Sequence, residues 1–458
     1  MNGSGFTSGQ RLTILSMIVA VIAVFAMLTG FMVTSLQNLD GPSPATPPLL
    51  TPSPPAPLPS PSPTPSTMLE EDIWSQIQAA RLFDQIAHQL ETLRGLSPRA
   101  ESPLSFLDER EMTVLLRQLH AERDPETRLL PYVTLGLLPD VPVFVRAHDT
   151  AGIYVPEQEQ LYNAAGRPAD SDDDQAVLAH AHAHALQDQH FDLGAMDARA
   201  ATSDAKLAVE ALIEGDALLL TAFYRYGEPA VADWEHLTEL ILWAEQPDYG
   251  EELDGNAAWE QLERFPYQEG RWFASALFQA GGWQAINRAY TAPPRSTEQV
   301  LHPERYIEGP DDPARVIVPH LGRVLGEEWE LRLQDTLGEL VIRLYLDVIL
   351  SEETAWQAAD GWGGDTFVAW EREDGSRVRV WRTIWDSTAE AEEFERALGA
   401  TVPHRYLLAQ PMAPPAGLEG QWWETSSETV YIYRVARYVT FVDGPDTILL
   451  ANIVKALP

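Results

Sequence analysis

Residues 172–193 read DDDQAVLAHAHAHALQDQHFDL, and this stretch directs the interpretation of the whole chain. Its alanine- and leucine-rich centre favours a helix, with three aspartates at the positive N-terminal end. In a helix, His180 and His184 lie four residues apart on one face, and His182 points away from them. Zinc takes two imidazoles from one helical turn at this spacing. In a strand, which is the alternative conformation, all three histidines would share one face.

A second predicted helix supplies a candidate third ligand. Residues 209–217 read VEALIEGDA and carry Glu210 and Glu214, again four residues apart. A carboxylate from an antiparallel second helix completes a His, His, Glu set in glutamate-type zinc peptidases. Either glutamate fits this pattern, and a solvated acidic face is the alternative interpretation of both.

Several ordered motifs resemble those of an uncharacterised bacterial family of zincin-like metallopeptidase homologues, in which the histidine stretch reads HExxHALQDQHFDL. The stretches of this chain that carry the resemblance, besides the histidine run, are AGIYVP at 151–156, EALIEGDA at 210–217, PPRSTEQVLHP at 293–303, GWGGD at 361–365 and WD at 385–386. The resemblance covers roughly residues 130–400. It implies a zinc site whose ligands are His180 and His184, with Glu214 as the third.

The chain departs from the family pattern at one position. Ala181 stands where the family has glutamate, the residue that takes a proton from metal-bound water and returns it to the leaving amine. A methyl group does neither, and general acid–base groups contribute about 10²- to 10⁴-fold to rates. We therefore expect metal binding without normal peptidase activity. Glu157, Glu159 and Asp216 are the carboxylates that could replace the missing base.

Composition excludes several classes of function. The 31 basic and 68 acidic residues give a net charge of −37, which disfavours nucleic acid as a partner. The chain has no cysteine, so disulfides, thiolate metal sites and cysteine nucleophiles are excluded. Hydrophobic residues make up 45% of the sequence, enough for a large folded core.

The N-terminal region predicts a membrane anchor and a spacer. Residues 12–36 carry no charge and would span roughly 38 Å as a helix, which exceeds a bilayer core of about 30 Å. Arg11 precedes the span, so residues 1–11 form a cytoplasmic tail and the bulk of the chain lies extracytoplasmically at the cell membrane. A cleaved signal peptide is the alternative. Residues 37–68 are proline-rich and predict an extended linker.

The remaining chain divides into two predicted parts, which gives an α+β fold class preceded by a single transmembrane helix. Residues 69–320 predict a mainly helical zincin-like domain. Residues 321–458 predict a small α+β module in the order β-β-α-β-β-α, with a hairpin turn at Asp374-Gly375. The segment 293–303 predicts a structural loop, and its His302 could line a cleft.

The functional hypothesis is a membrane-anchored, degenerate zinc-metallopeptidase homologue that binds a metal, zinc in the first place, and a peptide or protein. An active metallohydrolase with an unconventional base is one alternative. A structural envelope protein whose histidines bind nothing is another.

Overall fold

The histidine stretch is a helix in the computed structural model. The rest of the described residues form further helices and two separate β-sheets. The structure describes residues 70–122, 125–139, 152–165, 171–227, 234–245, 256–309 and 311–458. The predicted cytoplasmic tail 1–11, membrane span 12–36 and linker 37–68 lie outside the described residues. Residues Thr67–Pro458 form one compact unit.

The helices of the described residues differ widely in length. They are α1 (Glu70–Arg94), α2 (Glu109–Glu122), α3 (Pro125–Leu135), α4 (Asp172–Phe191), α5 (Leu193–Arg199), α6 (Ser203–Tyr226), α7 (Trp234–Glu245), α8 (Ala257–Thr291), α9 (Thr297–Leu301), α10 (Pro303–Ile307), α11 (Gly322–Leu325), α12 (Gly338–Asp347), α13 (Glu352–Ala359), α14 (Thr388–Arg405) and α15 (Thr447–Ala456). A short 3₁₀ helix covers Pro156–Gln158.

The strands form two separate sheets. They are β1 (Leu104–Leu107), β2 (Gly152–Val155), β3 (Gln160–Ala164), β4 (Trp329–Asp335), β5 (Trp362–Arg372), β6 (Arg377–Trp385), β7 (Gln410–Met412), β8 (Gln421–Glu424), β9 (Thr429–Val435) and β10 (Tyr438–Gly444). The small sheet has the order β1-β3-β2, and the large one has the order β4-β5-β6-β10-β9-β8-β7.

The large sheet is antiparallel throughout and is covered on both faces. Alternate residues of β5 and β6 point to opposite sides, as the pleat requires. Phe367 and Trp381 belong to the same core as Phe394 of α14, whereas Val368 and Val380 belong to a second core with Leu450 of α15. The first of these cores is continuous with the helical layer of α6 and α8, so helices and sheet are one packed body.

The predicted fold class is wrong in two respects. None of the helices that the structure describes combines the length and apolarity needed to cross a bilayer, so the predicted single transmembrane helix is without support. The C-terminal part is larger than a small α+β module, because β4, β7 and β8 extend the four predicted strands to seven. Strand β4 reads WELRLQD and alternates apolar and polar residues, so the sequence does carry the signal of this edge strand, although most of its side chains are exposed.

Candidate metal centre

Helix α4 places both predicted histidine ligands on one buried face. Its N-terminus is capped by Ser171, whose hydroxyl accepts the backbone N–H of Asp174, and three aspartates occupy the first turn. The helix excludes the strand alternative for the histidine run. The His180 side chain is fully buried, and that of His184 is 12% exposed.

Three donor atoms converge between α4 and α6. The Nε2 atoms of His180 and His184 lie 3.0 Å apart, and Oε2 of Glu214 lies 3.2 Å from the first and 3.4 Å from the second. Zinc bonds of about 2.0–2.2 Å in a tetrahedron place neighbouring donor atoms about 3.3–3.6 Å apart. The three residues are therefore spaced closely enough to hold a zinc-sized ion with only small movements.

The structure distinguishes the two candidate glutamates. Glu210 receives a hydrogen bond from the guanidinium of Arg128 at 2.8 Å and pairs with neither histidine. Glu214, one turn later on α6, contacts both imidazoles and forms no ion pair with a lysine or arginine among the described residues. Burial raises the pKa of Glu214, but the neighbouring His184 and His180 outweigh this and hold it below its ordinary value.

Gln187 fixes the proton position on His184. Its Nε2 donates to the backbone carbonyl of Ile213 at 3.0 Å and to a carboxylate oxygen of Asp216 at 3.1 Å, and both of these groups only accept. Its Oε1 therefore faces His184 and accepts the Nδ1–H at 2.9 Å. In the neutral form of His184 that binds a metal, the lone pair is then on Nε2, the atom that faces Glu214 and His180. Metal-ligating histidines are commonly oriented by such a partner.

A buried ion pair holds Gln187 in turn. The Nε of Arg94 donates to one oxygen of Asp216 at 3.0 Å, and a second guanidinium nitrogen donates to the other oxygen at 3.2 Å. The hydroxyl of Tyr290 also donates to Asp216, at 2.9 Å. Arg94 and Asp216 are each about 1% exposed, so the pair is desolvated and depends on this geometry. Both carboxylate oxygens of Asp216 thus already accept hydrogen bonds, and Asp216 does not serve as a replacement base.

The position of Glu214 depends on a close crossing of two helices. Gly215 of α6 and Gly270 of α8 face each other, and a Cβ atom at Gly215 would lie 2.0 Å from the backbone oxygen of Gly270. No side chain fits there, so glycine permits the backbones to touch. The glycine in the Glu214-Gly215-Asp216 sequence is therefore a packing requirement next to the candidate ligand.

The position of the missing base is apolar. Ala181 is buried in a cluster with Phe83, Tyr154 and Leu161. His182 stacks edge-on against Phe83 at 5.3 Å, and neither of its ring nitrogens has a hydrogen-bond partner among the described residues. Burial lowers its pKa to about 4. The other two predicted substitutes, Glu157 and Glu159, are exposed at the 3₁₀ helix and the residue after it.

Sequence reasoning missed the residues that orient the centre. Gln187 could have been found, because it follows His184 by three residues and shares its helical face. Arg94 could not, because it is separated from Asp216 by 122 positions and no local pattern connects them.

A second group of ionisable side chains lies around Arg305, and we call it the Arg305 cluster. It contains Glu298, His302, Arg305, Asp311, Glu339, Asp360 and Asp386. Arg305 contacts Glu298, and it lies 3.1 Å from Asp386 and 3.2 Å from Asp360. Segments that the sequence analysis treated as structural motifs, 293–303 and the residues next to 361–365 and 385, supply most of this cluster.

Comparison with known proteins gives one match. A family model described as "Domain of unknown function (DUF8575)" matches residues 329–454, which covers the seven-stranded sheet from the start of β4 into α15. No curated protein and no solved structure matches the chain. The candidate metal centre lies outside the matched range. These findings give no support to the predicted zincin-like metallopeptidase description.

Proposed function

We propose that the chain binds one zinc-class divalent ion through His180, His184 and Glu214, and that its function is metal-dependent binding without hydrolysis. The convergence of three donor atoms at separations of 3.0–3.4 Å carries this proposal. Two imidazoles and one carboxylate are a donor set that zinc accepts, with a fourth position left for an external oxygen. The oriented lone pair of His184 adds support, because its Nδ1–H is already held by Gln187.

The surroundings of Ala181 support binding over catalysis. A bound zinc ion would supply Lewis-acid chemistry and a water of lowered pKa. The chain places no proton acceptor at position 181, and the apolar cluster of Phe83, Tyr154 and Leu161 occupies the space around it. His182 is buried beside the same cluster and stays neutral near pH 7, because its pKa is lowered to about 4. A peptide carbonyl at the fourth position is the ligand class that this arrangement favours.

The zinc affinity of single variants tests the proposal. We expect His180→Ala and Glu214→Gln to weaken zinc binding by at least about 100-fold, since each removes one of three ligands. The measurement is competition with a chromophoric chelator, using the full chain. His404→Ala is the matched control, because His404 is an exposed histidine at the end of α14 outside the centre.

The control separates the loss of a zinc ligand from a general loss of zinc affinity caused by removing any histidine. His404→Ala should bind zinc as the unaltered chain does. Equal affinity in all four proteins would overturn the proposal, as would an unaltered chain that binds no zinc.

A further inference from the structure

A large cavity lies apart from the candidate metal centre. Its volume is about 1140 Å³, and α5, α6, α8 and the segments 291–295 and 312–316 contribute to its walls. Pockets for drug-sized ligands usually measure roughly 300–1,000 Å³, so this one admits a ligand at or above that size. None of the three candidate metal ligands lines it.

The charge of the cavity is opposite to that of the chain. Four arginines line it, Arg199, Arg288, Arg295 and Arg315, against two carboxylates. The chain as a whole has 31 basic and 68 acidic residues, so a typical surface of this size would be negative. Such a local reversal concentrates the positive potential of the molecule at one place.

Both carboxylates of the cavity are already occupied. Asp312 receives a hydrogen bond from Arg295 at 2.7 Å. Asp365 accepts the backbone N–H groups of Leu337 and Gly338 at 3.0–3.2 Å, which fixes it at the start of α12. Neither is available to neutralise another arginine.

Three of the arginines keep their charge uncompensated. Arg199, Arg288 and Arg315 are exposed and form no salt bridge with any of the residues that the structure describes. Guanidinium groups bind carboxylate and phosphate through paired, planar hydrogen bonds. Three such groups around one cavity therefore favour a ligand that carries negative charge.

The rest of the wall is apolar. Alanine and proline residues are frequent, and Val209, Leu277 and Val316 add larger hydrophobic surface. An inorganic anion would leave this surface in contact with water, whereas an apolar body covers it.

We propose that this cavity binds an amphipathic organic anion, with its carboxylate or phosphate head held by Arg199, Arg288 and Arg315 and its apolar body against the hydrophobic wall. This site is independent of the metal-binding proposal, since the two share no side chain. It adds a second ligand class to the protein.

Calorimetric titration of the full chain with C12 probes tests the assignment. The probes are dodecanoate, dodecyl phosphate and the neutral dodecanol, each below its micelle concentration. We expect at least one anion to bind, and to bind at least about tenfold more tightly than dodecanol, with affinity falling as salt is raised. The tighter of the two anions identifies the head group.

Two triple variants with the same charge change locate the binding. Arg199→Gln/Arg288→Gln/Arg315→Gln should weaken anion binding by at least about tenfold. The matched control Arg81→Gln/Arg117→Gln/Arg323→Gln removes three exposed arginines outside the cavity and should bind as the unaltered chain does. Equal binding by both triple variants, or no binding of either anion, would overturn the assignment.

Discussion

We call His180, His184 and Glu214 the His180 cluster. Both this cluster and the Arg305 cluster combine histidine with carboxylates, but they differ in the source of positive charge. In the Arg305 cluster, the guanidinium contacts Glu298, Asp360 and Asp386 directly. His302 adds a second contact, with Glu339 at 3.0 Å. In the His180 cluster, Glu214 has only the two imidazoles beside it, and no arginine or lysine pairs with it among the described residues.

A group of histidines and carboxylates therefore does not indicate a metal site by itself. A buried carboxylate needs compensating charge, and a chain supplies it either from its own cations or from a bound ion. The Arg305 cluster has its own cation. In the His180 cluster, Arg94 does not contact Glu214 but pairs with Asp216, which holds Gln187 against Nδ1 of His184.

Removal of Arg94 should give the largest effect. We expect Arg94→Leu to lower the free energy of unfolding by about 3–5 kcal/mol, because it leaves Asp216 as a buried, unpaired carboxylate. Zinc affinity should fall by about 10- to 100-fold, since Gln187 loses its anchor. Urea unfolding and chelator competition measure the two effects.

A double variant checks the cause of the Arg94 effect. Arg94→Leu/Asp216→Asn should recover part of the lost stability, because no unpaired charge remains. If the double variant is less stable than the single one, the ion pair is not what Arg94 contributes.

Removal of Arg305 should convert the second cluster into a cation site. Arg305→Gln leaves five carboxylates near one histidine, and hard cations such as calcium prefer oxygen ligands. We expect about 10 mM calcium to raise the Tm of this variant by about 2 °C or more, through preferential binding to the folded state. The Tm of the unaltered chain should not change.

A calcium response in the unaltered chain of equal size would contradict this account of the Arg305 cluster. Arg323→Gln, which removes an exposed arginine elsewhere, controls for the general effect of lost positive charge.

A further prediction concerns pH. Burial, together with the neighbouring Glu339, raises the pKa of Glu298 to about 9. The unfolded chain releases that proton near the ordinary glutamate pKa of about 4.3, so unfolding releases a proton between these values and stability falls as pH rises. The pKa of His302 is raised mainly by its hydrogen bond to Glu339, and it acts in the same direction.

Glu298→Gln should therefore flatten the loss of stability between about pH 6 and pH 9, by at most about 1.4 kcal/mol per pH unit. Urea unfolding at several pH values measures the slope. A variant whose slope equals that of the unaltered chain would show that Glu298 is ionised throughout this range.

Local sequence patterns anticipated much of the fold but little of what orients the candidate site. The i, i+4 spacing places His180 and His184 on one face, and Asp374-Gly375 forms the predicted hairpin between β5 and β6. The choice between Glu210 and Glu214 needed the contact of Arg128, which lies 82 positions from Glu210. A strand of only three residues, such as β7, has too few positions to show a period.

Sequence patterns also do not reveal sites that are formed by residues far apart in the chain. The arginines of the cavity lie on α5, on α8 and in the segment 291–315, and only the packed fold brings them together. The segment 293–303, which the sequence analysis assigned to a structural loop, supplies Glu298 and His302, and the motif GWGGD adjoins Asp360. Spacing along the chain carries no information about which distant carboxylates meet.

The zinc content of three proteins tests whether the metal lies in the His180 cluster. The full chain, His184→Ala and His302→Ala are loaded with zinc, desalted and analysed for metal per chain. We predict about one zinc ion per chain in the unaltered protein and in His302→Ala, and none in His184→Ala. Zinc retained by His184→Ala, or lost from His302→Ala, would contradict this prediction, because the metal would then lie in the cluster that already has Arg305.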